Sequence, residues 1–210
     1  MTDFSGLIDG YKRFKTGGWQ RQRARWAELA DGQNPKVMVI ACSDSRVDPT
    51  QIFDTSPGEM FVVRNVANLV PPFETSPGYH GVSAALEFAV TQLEIPEIVV
   101  LGHQACGGCG AALSKRFEHA PKGAGGFISD WIQLLDEARE RVVAEHGEGE
   151  AAVRALELEA VKVSIVNLRS FPCIPQREAA GTLRIHGAYF AIADGMLHVL
   201  NAETGQFEPR

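Results

Sequence analysis

Two short apolar runs, Val37-Met38-Val39-Ile40-Ala41 and Ile98-Val99-Val100-Leu101-Gly102, each end abruptly in polar, metal-binding chemistry. The first runs into Cys42-Ser43-Asp44-Ser45-Arg46 and the second into His103-Gln104-Ala105-Cys106. Runs this short, rich in β-branched residues and free of polar interruptions, read as strands buried on both faces, hence a parallel sheet covered by helices. In an open α/β sheet, ligands collect just beyond the carboxyl ends of the strands. Those ends carry Cys42, His103 and Cys106, two thiols and an imidazole that can meet there. The set suits zinc, and three protein ligands leave a fourth position for water, which is the arrangement of a catalytic site.

The rest of the chain supplies the helices. Phe4, Leu7, Ile8, Tyr11 and Phe14 recur at helical spacing until Thr16-Gly17-Gly18, and a second helical piece spans 19–29. These arms, residues 1–32, carry much aromatic surface for a short segment, and suit a partner subunit as readily as their own core. A second strand is predicted at 60–66, a helix at 81–93, a small-residue helix at 107–120, and longer helices at 127–146 and 150–169. Phe171-Pro172-Cys173-Ile174-Pro175 breaks the last of these, and 182–192, Asp194-Gly195 and 196–201 read as a closing β-hairpin. The predicted fold class is α/β: a mainly parallel central sheet flanked by helices, with N-terminal helical arms for dimerisation and a C-terminal β-hairpin. No repeat or composition shift divides the 210 residues, so a single domain is expected.

Composition excludes several classes of function. A formal net charge of −6 argues against a nucleic-acid surface, and the basic cluster Lys12, Arg13, Lys15, Arg21, Arg23 and Arg25 is interleaved with apolar helical positions. No apolar stretch approaches the ~20 residues of a membrane span. Met1-Thr2-Asp3-Phe4 lacks the basic start and apolar core of a secretory signal, so a cytoplasmic location is expected. Four cysteines in such a chain point to metal or thiol chemistry rather than disulfides.

Around the three ligands, Asp44 and Arg46 read either as an ion pair closing a strand end or as a functional dyad. In the second reading Arg46 holds Asp44 ionised and off the metal by a bidentate contact. Cys106-Gly107-Gly108-Cys109 also matches C-x-x-C, but a redox pair would need neither His103 nor the Cys42 turn, and Cys109 reads as a packed thiol. Cys173 and the remaining histidines, His80, His119, His146, His186 and His198, carry no assigned chemistry.

Ala41-Cys42-Ser43-Asp44-Ser45-Arg46-Val47, Phe61-Val62-Val63-Arg64-Asn65-Val66-Ala67-Asn68 and Gly102-His103-Gln104-Ala105-Cys106-Gly107-Gly108 together resemble the β-class carbonic anhydrases, strongly over 33–112 and more weakly to the terminal hairpin. The resemblance implies one zinc ion per subunit on Cys42, His103 and Cys106, with Asp44 and Arg46 as the orienting dyad. It implies a lyase that hydrates carbon dioxide reversibly to bicarbonate and a proton by attack of zinc-bound hydroxide. It also implies a homo-oligomer, a dimer or a dimer of dimers, whose arms wrap a second subunit and whose active site lies at the interface. Gln33 falls where plant-type members hold a substrate oxygen, and Phe61, Val66 and Phe88 fall at apolar pocket positions. Gly107 would let a tiny substrate approach the backbone. Some bacterial members are switched by bicarbonate at a site of Trp, Arg and Tyr; here Arg64 is present but Val39 and Phe190 replace the aromatic pair, which implies a non-allosteric, open form. The alternatives are a relative acting on carbon disulfide or carbonyl sulfide, a non-enzymatic zinc or shell protein, and a thiol oxidoreductase using Cys106 and Cys109.

Overall fold

A computed structural model describes residues 3–210. The chain begins with three helices, α1 (Phe4–Thr16), α2 (Gly18–Arg21) and α3 (Arg23–Ala30). Asp3 caps α1 by accepting the Gly6 N–H at 2.8 Å, satisfying one of the amides a helix start leaves free. None of the α1 residues is buried, and Phe4, Leu7, Ile8, Tyr11 and Phe14 all face solvent. Phe14 meets Trp26 edge-on, with ring centroids 5.9 Å apart. α3 reaches the body through Arg25, whose Nε donates to Pro57 O at 3.2 Å, and through Leu29 packed on Gly58.

The body follows in the order β1 (Val37–Cys42), α4 (Pro49–Ile52), β2 (Met60–Asn65), α5 (Gly81–Glu87), β3 (Glu97–His103), α6 (Gly107–Leu113), α7 (Gly126–Ile132), α8 (Asp136–His146), α9 (Glu150–Leu168), α10 (Cys173–Ala179), β4 (Arg184–Ala191), β5 (Met196–Leu200) and β6 (Phe207–Pro209). The strands form one sheet in the order β2-β1-β3-β4-β5-β6. β2, β1, β3 and β4 run parallel, and β5 and β6 add antiparallel at one edge. The register decides where the chemistry lands. Ala41 stands opposite Leu101, so Cys42 and His103 emerge together at the carboxyl edge of two adjacent strands.

Alternation along the strands separates two apolar layers. Met38, Ile40, Ile98 and Val100 point to the side of Leu86, Val90, Val161, Ile165 and Ile174, on α5, the turn that follows it, α9 and α10. Val39, Ala41, Leu101 and Ala188 form a thinner layer beneath Ile52 and Phe53. Each such Ile, Leu or Val contributes about 1.5–3 kcal/mol on burial. α9 lies close on the sheet because Gly102 has no side chain: a Cβ there would sit 2.7 Å from Val161 Cγ2. Among the described residues no helix is long and apolar enough to cross a membrane.

Several elements differ from the sequence reading. The helix expected at 127–146 is broken into α7 and α8 by a 3-10 turn, Gln133–Leu135, which places Leu135 fully in the core. α6 stops at Leu113, and Lys115 and His119 then take left-handed backbone conformations, so the 107–120 helix is cut short. The segment 171–175 turns but then starts α10: Pro172 precedes the helix and Pro175 lies in its first turn, where no amide donor is required. α4, a helix not predicted above, is capped by Asp48 with Pro49 at its first position. The helix expected at 81–93 is α5 continued by a π-helical turn, Phe88–Gln92, and β6 was not expected.

Candidate metal centre

Cys42 is the last residue of β1, His103 the last of β3, and Cys106 caps the start of α6. Ala105 turns the chain between the last two with a φ of 56°, a left-handed conformation uncommon outside glycine. The result brings the Cys42 and Cys106 sulfurs to 4.0 Å, and the ligand atoms of Cys42, His103 and Cys106 all lie within 4.8 Å of one another. All three residues are buried.

The fit to zinc can be tested on this geometry. Two thiolates each ~2.3 Å from one tetrahedral ion would stand about 3.8 Å apart, close to the separation found. His103 Nδ1 lies 2.9 Å from the Gln104 carbonyl, which accepts its proton in the matching tautomer, while Nε2 is buried with no hydrogen-bond partner. An imidazole fixed through one nitrogen and free at the other is how a metal-ligating histidine is oriented. The thiols tell the same story. Cys42 is pushed up to about 12, first by its contact with the Cys106 sulfur and then by burial. Cys106 is pushed up to about 12 by the neighbouring Cys109 thiol, with burial adding and Cys42 opposing. Burial lowers the His103 pKa, and the adjacent Cys42 sulfur more than offsets that, leaving it raised. Both thiols therefore stay protonated at neutral pH unless a cation sits between them. Cys109 is buried and lies outside the ligand group.

Asp44 does not join the ligand group either. Arg46 holds it in a fork: Nε donates to Oδ1 at 2.9 Å and Nη2 to Oδ2 at 2.7 Å, while the Arg46 backbone N–H donates to Oδ1 at 3.0 Å. The Arg46 guanidinium therefore keeps the Asp44 carboxyl well below the usual carboxylate range, against the opposing effect of burial. Arg46 Nη2 also donates to Ala105 O at 3.0 Å, tying the dyad to the second ligand loop. Arg64 of β2 braces the first loop, donating to Cys42 O at 2.9 Å and Asp44 O at 2.6 Å and pairing with Asp48. Val39 is buried in β1, and Phe190 stands opposite His103 in β4.

The expected pocket residues divide into two groups. Val66 lies beside the ligand loop: a Cβ on Gly108 would come within 2.8 Å of Val66 Cγ1, whereas one on Gly107 would meet nothing within 4 Å. Trp131 Nε1 donates to Val66 O at 2.8 Å, and Ala67 turns the chain with a φ of 62°. Phe61, Phe88 and Gln33 are elsewhere. Phe61 stands opposite Met38, while Asn65 stands opposite Cys42. Four residues at ~3.3 Å each put about 13 Å between those levels. Phe88 stacks on Phe61 at 6.0 Å between centroids, and Gln33 precedes β1 at the end of the sheet remote from Cys42. One chain does not bring these three to the ligands.

Two residues near the centre escaped the sequence reading, Glu157 and Tyr189. Glu157 is buried and accepts the Cys106 N–H, and Tyr189 donates to Glu157. A signal for Glu157 existed, because it falls on the apolar stripe of α9 with Leu156, Ala160, Val161 and Ser164.

A family model described as carbonic anhydrase matches residues 37–197. β carbonic anhydrase 3 of Arabidopsis thaliana is 37% identical over 191 residues, covering 90% of this chain and 73% of the plant protein. The structure of the β-carbonic anhydrase CcaA superposes with a TM-score of 0.91 at 31% identity, over 100% of both chains. A structure from a study of two tetrameric β-carbonic anhydrases of Sordaria macrospora superposes with a TM-score of 0.79 at 28% identity, covering 95% of this chain and 97% of that one. Sequence match, superposition and a buried Cys-His-Cys ligand group agree, and the chain belongs to the β-class carbonic anhydrases.

Proposed function

We propose that this chain hydrates carbon dioxide reversibly to bicarbonate and a proton, with one zinc ion held by Cys42, His103 and Cys106. The observation that carries this reading is the combination of three convergent ligand atoms with an Asp44 tied off by Arg46. No fourth side chain closes the ligand group among the described residues, so a position stays available for solvent. Zinc held there supplies the Lewis acidity that makes hydroxide available near neutral pH.

The chain's own residues supply orientation. Asp44, ionised and with its oxygens fixed by Arg46, can only accept; it would accept a hydrogen bond from the attacking oxygen and so leave that oxygen's lone pair aimed at carbon. Val66 and the bare backbone of Gly107 border the space in which carbon dioxide lies. The remaining wall comes from a second copy, whose Gln33 donates its amide to a substrate oxygen and whose Phe61 and Phe88 exclude water. That arrangement accounts for the placement of these three residues far from the ligands of their own chain, and for the solvent-facing apolar stripe of α1. We therefore infer a homodimer, able to pair further into tetramers, without nucleic-acid or membrane partners. Its free cysteines fit a reducing compartment such as the cytoplasm.

Stopped-flow hydration assays on Asp44→Asn test the dyad. The variant should keep stoichiometric zinc and lose about 100-fold in turnover or more. Wild-type turnover, or loss of the metal, would assign Asp44 a different role.

A further inference from the structure

We propose that Glu157, backed by Tyr189, is a positioning residue of the metal centre that sets the Cys106 sulfur through the Cys106 backbone amide. The proposal rests on the metal-holding part of the function above and is independent of the substrate.

Glu157 is one of four buried polar residues among those described, with Asn68, His103 and Ser164. It is 2% exposed, and each carboxylate oxygen has a separate buried donor. Oε1 accepts the Cys106 N–H at 2.8 Å, and Oε2 accepts the Tyr189 O–H at 2.7 Å. No cation pairs with Glu157 among the described residues; the nearby Arg154 guanidinium instead lies over the Tyr189 ring, 3.6 Å from its centroid. Burial, then the bond to Glu157, hold the Tyr189 hydroxyl far above its ordinary pKa, so it stays a donor.

A fold that only needed the Cys106 amide satisfied could use a neutral acceptor or a water. Burying a carboxylate costs several kcal/mol before its partners are counted, whereas an orphaned amide costs about 1–3 kcal/mol. The charged acceptor brings something a neutral one does not. It makes a shorter and stronger bond to the amide, and two oxygens with two donors fix its orientation. The amide it holds belongs to the only ligand that is not a strand terminus. Cys42 and His103 are placed by the sheet register, but Cys106 follows the left-handed turn at Ala105 and precedes the short α6. Glu157 projects from the middle of α9, which is 19 residues long and packed directly on the sheet at Gly102. The loop-borne ligand is thereby referenced to the longest helix among the described residues.

The experiment measures zinc affinity by chelator competition, and the visible spectrum of the cobalt-substituted protein, for wild type, Glu157→Ala, Glu157→Gln and Tyr189→Phe. Glu157→Ala should bind zinc about 10–100-fold more weakly, the range for losing a residue that orients a metal ligand. Its cobalt–thiolate charge-transfer band should shift. Glu157→Gln can still accept from Cys106 while Tyr189 turns to accept from the carboxamide, so it should recover most of that loss. Tyr189→Phe should fall between Glu157→Gln and Glu157→Ala. A folded Glu157→Ala with wild-type affinity and spectrum overturns the proposal, as does a Glu157→Gln no better than Glu157→Ala. Should Glu157→Ala fail to fold, a Tyr189→Phe variant with unchanged affinity and spectrum overturns it. Failure of the wild type to bind zinc would instead refute the functional reading itself.

Discussion

At the carboxyl end of β1 and β3, the polar groups that shape the metal centre find partners inside one chain. Asp44 has Arg46, the Cys42 and Asp44 carbonyls have Arg64, the Cys106 amide has Glu157, and His103 Nδ1 has Gln104 O. At the other end the picture reverses. Phe88 is 45% exposed beside Phe61, the α1 stripe has no cover, and Trp26 Nε1 is buried without a partner. The ligand-bearing region thus has its polar partners within one chain. The second region leaves apolar side chains on the surface, which in the proposed function a second copy of the chain covers and uses. Apolar side chains left in water forgo the burial energy that justifies their size, so an exposed stripe of this kind marks an interface.

Complementation provides the strongest way to break this contrast. Cys42→Ser disables the metal half and should lower turnover more than about 1000-fold, given how far zinc shifts the availability of hydroxide. Gln33→Ala disables the substrate half and should cost about tenfold, the worth of one hydrogen bond near 1.4 kcal/mol. Each variant alone is impaired at every site. After unfolding and refolding as a 1:1 mixture, half the dimers are mixed, and each contains one intact site. Activity should return to roughly a quarter of wild type under random pairing. If every site were made by one chain, mixing would give only about a twentieth, half the activity of Gln33→Ala. That lower figure would end the two-chain reading and leave the metal assignment standing.

A second test removes the interface. Leu7→Asp combined with Tyr11→Asp puts two charges into the apolar stripe of α1. Because no α1 residue is buried in its own chain, the fold should survive. Sedimentation should show the oligomer reduced to monomer, with zinc content retained and hydration lost by at least tenfold, since Gln33, Phe61 and Phe88 no longer reach a neighbouring centre. A monomer with full activity would show that those three residues are not shared.

The same contrast explains what could be read from the sequence. Cys42 and His103 were legible because a buried strand must end where its apolar run ends, and adjacent parallel strands end together. Gln33, Phe61 and Phe88 came from family resemblance alone, because no spacing rule connects them to Cys42 and the single chain does not join them. Glu157 stayed hidden since a charged residue on a helix ordinarily faces water, although the stripe around it marked the buried side. The break between α7 and α8 falls at Gln133-Leu134-Leu135, which contains neither glycine nor proline. Tertiary packing, through the buried Leu135 and the Trp131 bond to Val66, sets that break.

The smallest expected effect lies at the amino end of β3, where Glu97 accepts from Arg184 and stands 2.7 Å from His186 Nε2. Burial would raise the Glu97 pKa, but its bonds to His186 and Arg184 outweigh that and leave it lowered from 4.5. A depressed folded pKa means the unfolded chain binds the proton more readily. The pair thus contributes stability above the unfolded value, and loses it as pH falls through the folded one. Arg184 is 66% and His186 44% exposed, so solvent screens the pair and the contribution is a fraction of about 1 kcal/mol. Glu97→Gln should melt about 1–2 °C below wild type at pH 7. That gap should close as the pH drops below 4.5, while hydration activity and zinc content stay unchanged. A gap that persists or widens in acid would mean Glu97 acts through packing rather than charge. A loss of activity would mean that the Glu97 pair also steadies the residues this end of the sheet offers to a neighbouring centre.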